Sequence, residues 1–243
     1  MQIIKLDATE STNTYLKELS AKRSLSDFTV VTTRNQTLGR GQLNSKWESE
    51  EGKNLAISVL KLNLELAVDQ IFLVSVSVSL AIFDCLTQLG IPNLKIKWPN
   101  DILSGDYKIG GILIENILSG SKIKRCIIGF GLNVNQQEFK NAPHAASLSS
   151  IVGHNFDLDS VFYSLLESLH KQLSQPIISL EEELFAQYHS KLFKLGERST
   201  FKVLENKVIV GVIKGVSKTG KLRVALESGE IQEFGLKEIQ LQY

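Results

Sequence analysis

The chain has 243 residues, of which 43% are hydrophobic and 22% are charged, a composition typical of a globular protein with a full core. Its 27 basic and 26 acidic side chains leave a formal net charge of +1, so overall charge favours neither nucleic acid nor a membrane, and an anion site must be local. The sequence shows no signal-peptide pattern, and its longest uncharged apolar run, residues 70–83, is shorter than the about 18 residues of a membrane span. We therefore expect a cytoplasmic protein that does not enter a membrane.

In the first three quarters of the chain, β-rich runs and turn residues predict six strands, at residues 3–6, 28–32, 55–60, 94–98, 107–118 and 122–132. Helices are predicted after Ser11-Thr12-Asn13 and at residues 67–89, 158–173 and 179–189. Residues 74–79 alternate as a strand would, but some twenty residues without Gly or Pro favour a buried helix. A tight turn is predicted at 119–121. Residues 35–54 are predicted to form a long loop, and such loops are usually functional or disordered.

The last fifty residues have a different pattern of short strands, at 200–204, 208–216, 222–226 and 231–234. Turn residues separate them at Glu205-Asn206, Thr219-Gly220 and Ser228-Gly229. This pattern predicts a small β-barrel after an α/β unit. We therefore predict the α/β (α+β) fold class, with one domain at 1–192 and a second at 193–243. Cys85 and Cys126 lie far apart in apolar segments, which predicts reduced core cysteines.

The segment Gln36-Thr-Leu-Gly39-Arg40-Gly41-Gln42, followed by Lys46 and Trp47, is the first candidate site. Two glycines let the backbone approach a ligand closely, while the guanidinium between them clamps a carboxylate or a phosphate. Trp47 is placed to stack on a flat group. A solvated loop remains the alternative, because loops are usually exposed.

The second candidate joins Lys97-Trp98-Pro99-Asn100-Asp101 to Lys108 and Gly110-Gly111. Pro99 predicts a turn after the strand, which leaves the Asn-Asp pair at a sheet edge, placed to hold a metal ion or accept a proton. Two glycines inside the return strand suggest that a ligand needs room above the sheet. The alternative is a plain β-hairpin with surface lysines, which leaves the glycines without a purpose.

Two further segments carry polar residues at element ends. Gly129, Gly131, Asn133 and Asn135 end a strand, where amides could read the edge of a nucleobase; an asparagine-capped strand end is the alternative. Ser11-Thr12-Asn13 is a helix N-cap that could also bond a neutral polar ligand.

Taken together and in this order, the four segments resemble the biotin protein ligases (biotin–[acetyl-CoA-carboxylase] ligases). The resemblance implies a mixed sheet with helices against one face and a C-terminal SH3-like β-barrel. It also implies that biotin and ATP, with Mg²⁺, form biotinyl-5′-AMP and pyrophosphate, and that biotin then passes to a lysine of a biotin carboxyl carrier protein. It leaves both monomer and homodimer open.

The resemblance also implies roles for individual residues. The catalytic residues would be Lys108, Arg40 and Asp101, with Lys108 on the biotin carboxylate and α-phosphate and Asp101 helping to activate the incoming lysine. The biotin pocket would comprise Ser11, Thr12, Asn13, Gln36, Gly39, Arg40, Gly41, Gln42, Lys108 and Gly111. The ATP and adenylate side would comprise Arg40, Trp47, Lys97, Asn100 and Asn133. No metal ligand is assigned.

The chain departs from the family pattern at Gln42 and Ser45, where many members carry arginine, and we expect activity to be kept. It begins just before the Ser-Thr-Asn segment, so no winged helix-turn-helix and no binding to operator DNA are expected. Two other functions stay open. A lipoate ligase or octanoyl transferase shares the catalytic fold, and a non-catalytic binding module would use the barrel to grip protein or nucleic acid.

Overall fold

The computed structural model describes residues 1–42, 45–64, 66–119, 122–204 and 207–242. The predicted turns at 119–121 and 205–206 depend on residues outside this part of the chain. The helices are α1 (Thr12–Lys22), α2 (Phe72–Gln88), α3 (Leu148–Val152), α4 (Leu158–Leu173) and α5 (Glu181–Ser190). The first seven strands are β1 (Ile3–Thr9), β2 (Thr29–Gln36), β3 (Leu55–Leu62), β4 (Leu94–Lys97), β5 (Asp101–Ser104), β6 (Tyr107–Ser119) and β7 (Lys122–Leu132). The last five are β8 (Arg198–Val203), β9 (Val208–Val216), β10 (Leu222–Leu226), β11 (Ile231–Phe234) and β12 (Ile239–Gln242).

The first seven strands form one sheet in the order β1-β2-β3-β7-β6-β5-β4. Its β1–β2 pair is parallel and its other pairs are antiparallel, so the sheet is mixed, as predicted. Neighbouring residues of a strand point to opposite faces. Accordingly, Val59 and Ile128 belong to the core formed with α2 and α4, whereas Leu60 and Ile127 pack around Leu16 of α1.

Helices therefore cover both faces of this sheet. The expectation of helices on one face holds for α2 and α4 but is wrong for α1. The cause is the pairs of consecutive large apolar residues in β3 and β7, Val59-Leu60 and Ile127-Ile128, which give each face large side chains to bury.

Helix α2 is apolar on nearly all sides and lies between the sheet, α4 and α5. The segment Val68–Gln88 is long and apolar enough to cross a membrane by length and composition, but 61% of its most apolar window is buried inside the protein. Such burial is that of a core helix. The Ser75 carbonyl accepts a hydrogen bond from the Ser79 hydroxyl at 2.7 Å, which satisfies that polar group within the helix.

The last five strands form an antiparallel sheet in the order β11-β10-β9-β8-β12. Its inner residues, Phe201 and Val224 among them, are continuous with the core of the first sheet. Polar contacts join the two parts, one of them an ion pair in which Nζ of Lys218 lies 2.7 Å from Oε2 of Glu181. The indole N–H of Trp98 donates to the Gly220 carbonyl at 2.9 Å, and Nε2 of His189 accepts from the Val216 amide at 2.9 Å.

Candidate active site

A cavity of about 800 Å³ lies between the large sheet and the C-terminal barrel. Helix α1 covers only one half of its sheet face, over Leu60 and Ile127. Further along the same face the sheet carries small residues, namely Ser58, Ala56, Gly129, Gly131 and Gly111, which the pairing of β3, β7 and β6 places side by side. The uncovered half of the face is the floor of the cavity.

The N-terminus of α1 meets this floor with a cluster of polar side chains. Ser11 caps the helix, its hydroxyl accepting from the Thr14 amide. The Thr12 amide donates to Oε1 of Gln36 at 3.0 Å, and the buried Ser58 hydroxyl lies 2.6 Å from Oδ1 of Asn13. Four of the ten residues predicted for the biotin pocket, Ser11, Thr12, Asn13 and Gln36, thus lie together at the positive end of a helix. Ser58 was not predicted.

A β-bulge directs Lys108 into the cavity. Asp101 pairs with Gly111 and Ile102 with Gly110, but Leu103 pairs with Lys108, so Ile109 is the extra residue. In an unbroken strand Lys108 and Gly111 would point to opposite faces. The bulge turns Lys108 to the face of Gly111, where a Cβ built on that glycine would lie 3.3 Å from Nζ of Lys108. Ile109 is fully buried in the core instead.

Arg40 reaches the same cavity from the loop that follows β2. The loop folds back on itself through hydrogen bonds from Gly41 N to Ser45 O (2.8 Å) and from Trp47 N to Gly39 O (2.9 Å). Nη2 of Arg40 donates to the Thr14 hydroxyl at 2.8 Å and lies 3.5 Å from Oε2 of Glu115. Both Arg40 and Lys108 line the cavity, so two cations from distant parts of the chain converge, as the sequence predicts.

Trp47 lies flat on the glycines of the floor. A Cβ on Gly131 would lie 2.5 Å from Cε2 of Trp47, and one on Gly111 would lie 3.1 Å from Cζ3. Gly129 in turn leaves room for the side chain of Asn13. These glycines, expected to make room for a ligand, therefore first make room for the protein's own side chains. The buried indole N–H of Trp47 lies against Gly131 and has no acceptor among the described residues.

Cationic side chains from both predicted domains, residues 1–192 and residues 193–243, line the cavity. The lining residues include six cations and no carboxylate within the described ranges. The six are Arg40, Lys46, Lys97, Lys108, Lys202 and Lys237. Lys202 and Lys237 come from the barrel and were not predicted, because nothing in their local sequence indicates that β8 and the approach to β12 face the first sheet. A pocket of this kind attracts an anion, and two anions that repel each other can meet in it.

Three predicted residues, Gly39, Asp101 and Asn133, do not line the cavity. The carboxylate oxygens of Asp101 lie 2.6 Å from Nζ of Lys108 and 3.6 Å from Nζ of Lys97. Asp101 thus forms ion pairs with both lysines without lining the cavity itself. Asn133 is buried and donates to the carbonyl oxygens of Ala146 (3.0 Å) and Lys108 (3.4 Å). It steadies the backbone that carries Lys108, rather than contacting the cavity. Asn100 lines the cavity and donates to the Ile112 carbonyl at 2.7 Å.

The loop segment after Trp47 is tied down at its far end. The Glu48 carboxylate accepts hydrogen bonds from the amides of Lys140 (2.9 Å) and Asn141 (3.0 Å), and these bonds hold the pKa of Glu48 below its usual range. Asn54 and Gln136 are joined at 2.5 Å beneath the loop. Asn35 and Gln36 still belong to β2, and the described residues from Thr37 to Asn54 form a loop with one isolated bridge, Arg40 to Lys46. The predicted loop thus begins two residues later than expected.

Comparisons with known proteins agree with this geometry. Residues 6–133 match the model of the biotin/lipoate A/B protein ligase family, and residues 194–236 match the biotin protein ligase C-terminal domain. The first match contains every predicted site residue. The chain is 27% identical over 239 residues to the bifunctional ligase/repressor BirA of Escherichia coli, covering 97% of the chain and 73% of the relative. It is 27% identical over 217 residues to the biotin–[acetyl-CoA-carboxylase] ligase of Mycobacterium tuberculosis, covering 88% and 79%.

Among solved structures, the biotin protein ligase of Aquifex aeolicus in complex with biotin and ATP superposes with a TM-score of 0.82 and 29% identity, covering 99% of this chain and 98% of that one. The fold therefore agrees over nearly the whole length of both chains. The chain belongs to the biotin/lipoate A/B protein ligase family, and its terminal barrel is a biotin protein ligase C-terminal domain.

Proposed function

We propose that this chain is a biotin protein ligase, which joins biotin to a lysine of a biotin carboxyl carrier protein at the expense of ATP. The observation that carries the proposal is the cavity itself. It combines a neutral polar cluster at the N-terminus of α1 with a wall of six cations within the described residues. Biotin has a neutral polar ring system at one end and a carboxylate at the other, and ATP supplies the remaining negative charge.

In the first step, an oxygen of the biotin carboxylate bonds to the α-phosphorus of ATP, and the bond from that phosphorus to the bridging oxygen breaks to release pyrophosphate. Thr12, Asn13 and Gln36 bind the neutral ring end, and the buried Ser58 hydroxyl holds the side chains of Thr12 and Asn13 in place. Arg40 and Lys108 then stand beside the acid end. Their charges oppose the repulsion between carboxylate and phosphate, and they stabilise the charge that develops on the α-phosphate.

In the second step, a carrier lysine nitrogen attacks the acyl carbon of the adenylate, and the carbon–oxygen bond to phosphate breaks to release AMP. The amine must lose a proton, and Asp101 is proposed to help remove it. Because Asp101 is paired with Lys108, this role requires Lys108 to turn toward the phosphate first. Trp47 shields the mixed anhydride from water while the carrier docks.

Mg²⁺ is proposed to accompany ATP rather than to occupy a protein cage. Among the described residues no group of three or more His, Cys, Asp or Glu side chains could hold a metal ion. The carboxylate of Asp101 already faces two of the lysines that line the cavity. The ion would bind the phosphates and water, as Mg²⁺ usually does with nucleotides, and would screen phosphate charge there.

We propose that residues 1–192 form the catalytic domain and residues 193–243 the barrel domain, and that the enzyme works in the cytoplasm. The barrel contributes Lys202 and Lys237 to the cavity wall, so both domains would contact the nucleotide. Whether the chain is a monomer or a homodimer and whether it binds operator DNA stay predictions, which sedimentation and a gel-shift measurement would test.

The test is the intact mass of a purified carrier domain incubated with the enzyme and ATP. Biotin should raise the mass by one biotinyl group, and a carrier with its target lysine changed to arginine should stay unmodified. A mass increase with lipoate or an octanoyl donor, but not with biotin, would show instead a lipoate ligase or an octanoyl transferase. No modification by a folded enzyme would favour the non-catalytic module.

A further inference from the structure

Glu115 is a carboxylate at the boundary between α1 and the cavity, and none of the roles above includes it. It lies on β6 opposite Ile127 of β7, and paired residues of neighbouring strands share a face. Its side chain therefore points to the α1 face, at the inner border of the cavity floor. It does not line the cavity itself. A side chain in such a place acts on its neighbours and not on the ligand.

Three donors converge on this carboxylate. Oε2 accepts from Nδ2 of Asn13 at 3.0 Å and lies 3.5 Å from Nη2 of Arg40, while Oε1 lies 3.2 Å from Nζ of Lys17. The Glu115 side chain is only 22% exposed, so these contacts are screened less than surface ion pairs are. Asn13 belongs to the polar floor and Arg40 to the loop, so Glu115 joins the two halves of the site.

The geometry of Arg40 shows what this contact does. Among the described residues, both hydrogen bonds of its guanidinium, to Thr14 and Glu115, are made by Nη2. Nε and Nη1 remain as donors, and a guanidinium presents its donors in a rigid planar fork. Holding Nη2 in place therefore also fixes the direction of Nε and Nη1, which can bind a carboxylate.

We propose that Glu115 is a positioning residue of this site. Its carboxylate holds Arg40 at one nitrogen and Asn13 at its amide, so that the floor and the loop bind opposite ends of one biotin molecule. This inference rests on the proposed function. Glu115 does not line the cavity, and Arg40 is the one cation of the cavity wall that it contacts among the described residues, so its effect on biotin should exceed its effect on ATP.

The experiment measures biotin-dependent exchange of pyrophosphate into ATP for wild type, Glu115→Ala and Glu115→Gln. Loss of the charge-assisted contacts should raise KM for biotin about tenfold in Glu115→Ala, with KM for ATP changed less than about twofold. Glu115→Gln keeps an acceptor oxygen and should be affected less. The matched control is Lys17→Gln, which removes the third partner of Glu115 without touching the cavity and should behave as wild type.

A double-mutant cycle separates positioning from a general structural role. In an Arg40→Ala background, Glu115→Ala should raise KM for biotin much less than it does in wild type, because the group it positions is gone. Fully additive effects, or a Glu115→Ala enzyme whose KM for biotin stays within twofold of wild type, would overturn the inference. If wild type itself shows no biotin-dependent exchange, the proposed function fails rather than the role of Glu115. Should Glu115→Ala not fold, Glu115→Gln carries the same comparison.

Discussion

Nζ of Lys108 lies 2.6 Å from Oδ1 of Asp101, across the β5–β6 hairpin whose bulge turns the lysine into the cavity. The pair holds the ammonium group at the cavity wall before any anion arrives. Asp101 is also 3.6 Å from Nζ of Lys97, so one carboxylate orients two of the cations that line the site. Preorganised charge of this kind lowers the reorganisation needed when the transition state forms.

Lys108→Ala tests the role of the ammonium group directly. The variant should fold, because Asp101 keeps Lys97 as a partner. It should form adenylate at least about 100-fold more slowly, the usual cost of removing one preorganised charge from such a site. The measurement is single-turnover formation of the biotin adenylate. Lys95→Ala, an exposed lysine of β4 that does not line the cavity, is the control, and a wild-type rate in Lys108→Ala would remove Lys108 from the mechanism.

Gly131→Ala tests whether the floor must stay free of side chains. The added methyl would lie 2.5 Å from the Trp47 ring, so the indole must leave its place over the floor. With Trp98→Phe as background, quenching of Trp47 fluorescence by acrylamide should increase, and adenylate formation should slow about tenfold as the shield is displaced. Gly235→Ala, where the new Cβ would lie no closer than 3.4 Å to the Glu238 side chain, should change neither quantity. Unchanged quenching in Gly131→Ala would contradict the packing of Trp47.

Much of this site could be predicted because its residues lie in short, specific segments. Ser11 caps α1 as expected, and Gln36, Arg40, Trp47 and Lys108 all line one cavity. The sequence does not reveal which residues of neighbouring strands pair with each other. The bulge at Ile109 has no sequence pattern, yet it decides which way Lys108 points. Ser58 occurs in an apolar strand, and only the strand order β3-β7-β6 places it beside Asn13.

The missed elements are short. Strands β5 and β12 have four residues each and α3 has five. At such lengths the strand and helix periods are weak signals, although β4 and β11, also of four residues, were predicted. Asn133 is a different case, whose role on the nucleotide side stays a prediction. An amide after two glycines suggested contact with a nucleobase, but its hydrogen bonds go to Ala146 and Lys108 in the interior, and burial depends on tertiary packing that the local pattern does not reveal.

The contact between His189 and the barrel should depend on pH. Burial, assisted by the nearby Arg223, lowers the pKa of His189 below its usual range, and neutral Nε2 accepts from the Val216 amide. The folded state binds the His189 proton more weakly than the unfolded chain does. The stability that the neutral His189 contributes is therefore fully present above the unfolded pKa of about 6.5, and it is lost as pH falls through the lowered pKa of the folded state.

Accordingly, the thermal midpoint of wild type should fall between pH 7.5 and pH 5 more than that of His189→Gln. At pH 7.5 the variant should be less stable by about 1 kcal/mol, the usual worth of one hydrogen bond. His154→Gln, at an exposed position, is the matched control and should follow wild type. Parallel curves for wild type and His189→Gln would contradict the proton-linked contact.

Glu48→Gln tests the anchor of the loop that carries Trp47. The Glu48 carboxylate binds two backbone amides and its pKa is lowered by them; its contribution is therefore present above the unfolded value and lost as pH falls through the lowered one. Weakening the anchor by about 1 kcal/mol should make the opened loop about fivefold more populated, and limited proteolysis within residues 45–54 correspondingly faster. The control is Glu138→Gln, at an exposed position nearby, which should be cleaved at the wild-type rate. Cleavage of Glu48→Gln at the wild-type rate would contradict the anchoring role of Glu48.

The central claim is that one cavity brings a biotin carboxylate to the α-phosphorus of ATP between Arg40 and Lys108. Exchange of labelled pyrophosphate into ATP measures this step without the carrier protein. The account predicts exchange that requires biotin, is not supported by lipoate, and is nearly abolished in Lys108→Ala. Exchange that proceeds equally without biotin, or that lipoate supports in place of biotin, would contradict it.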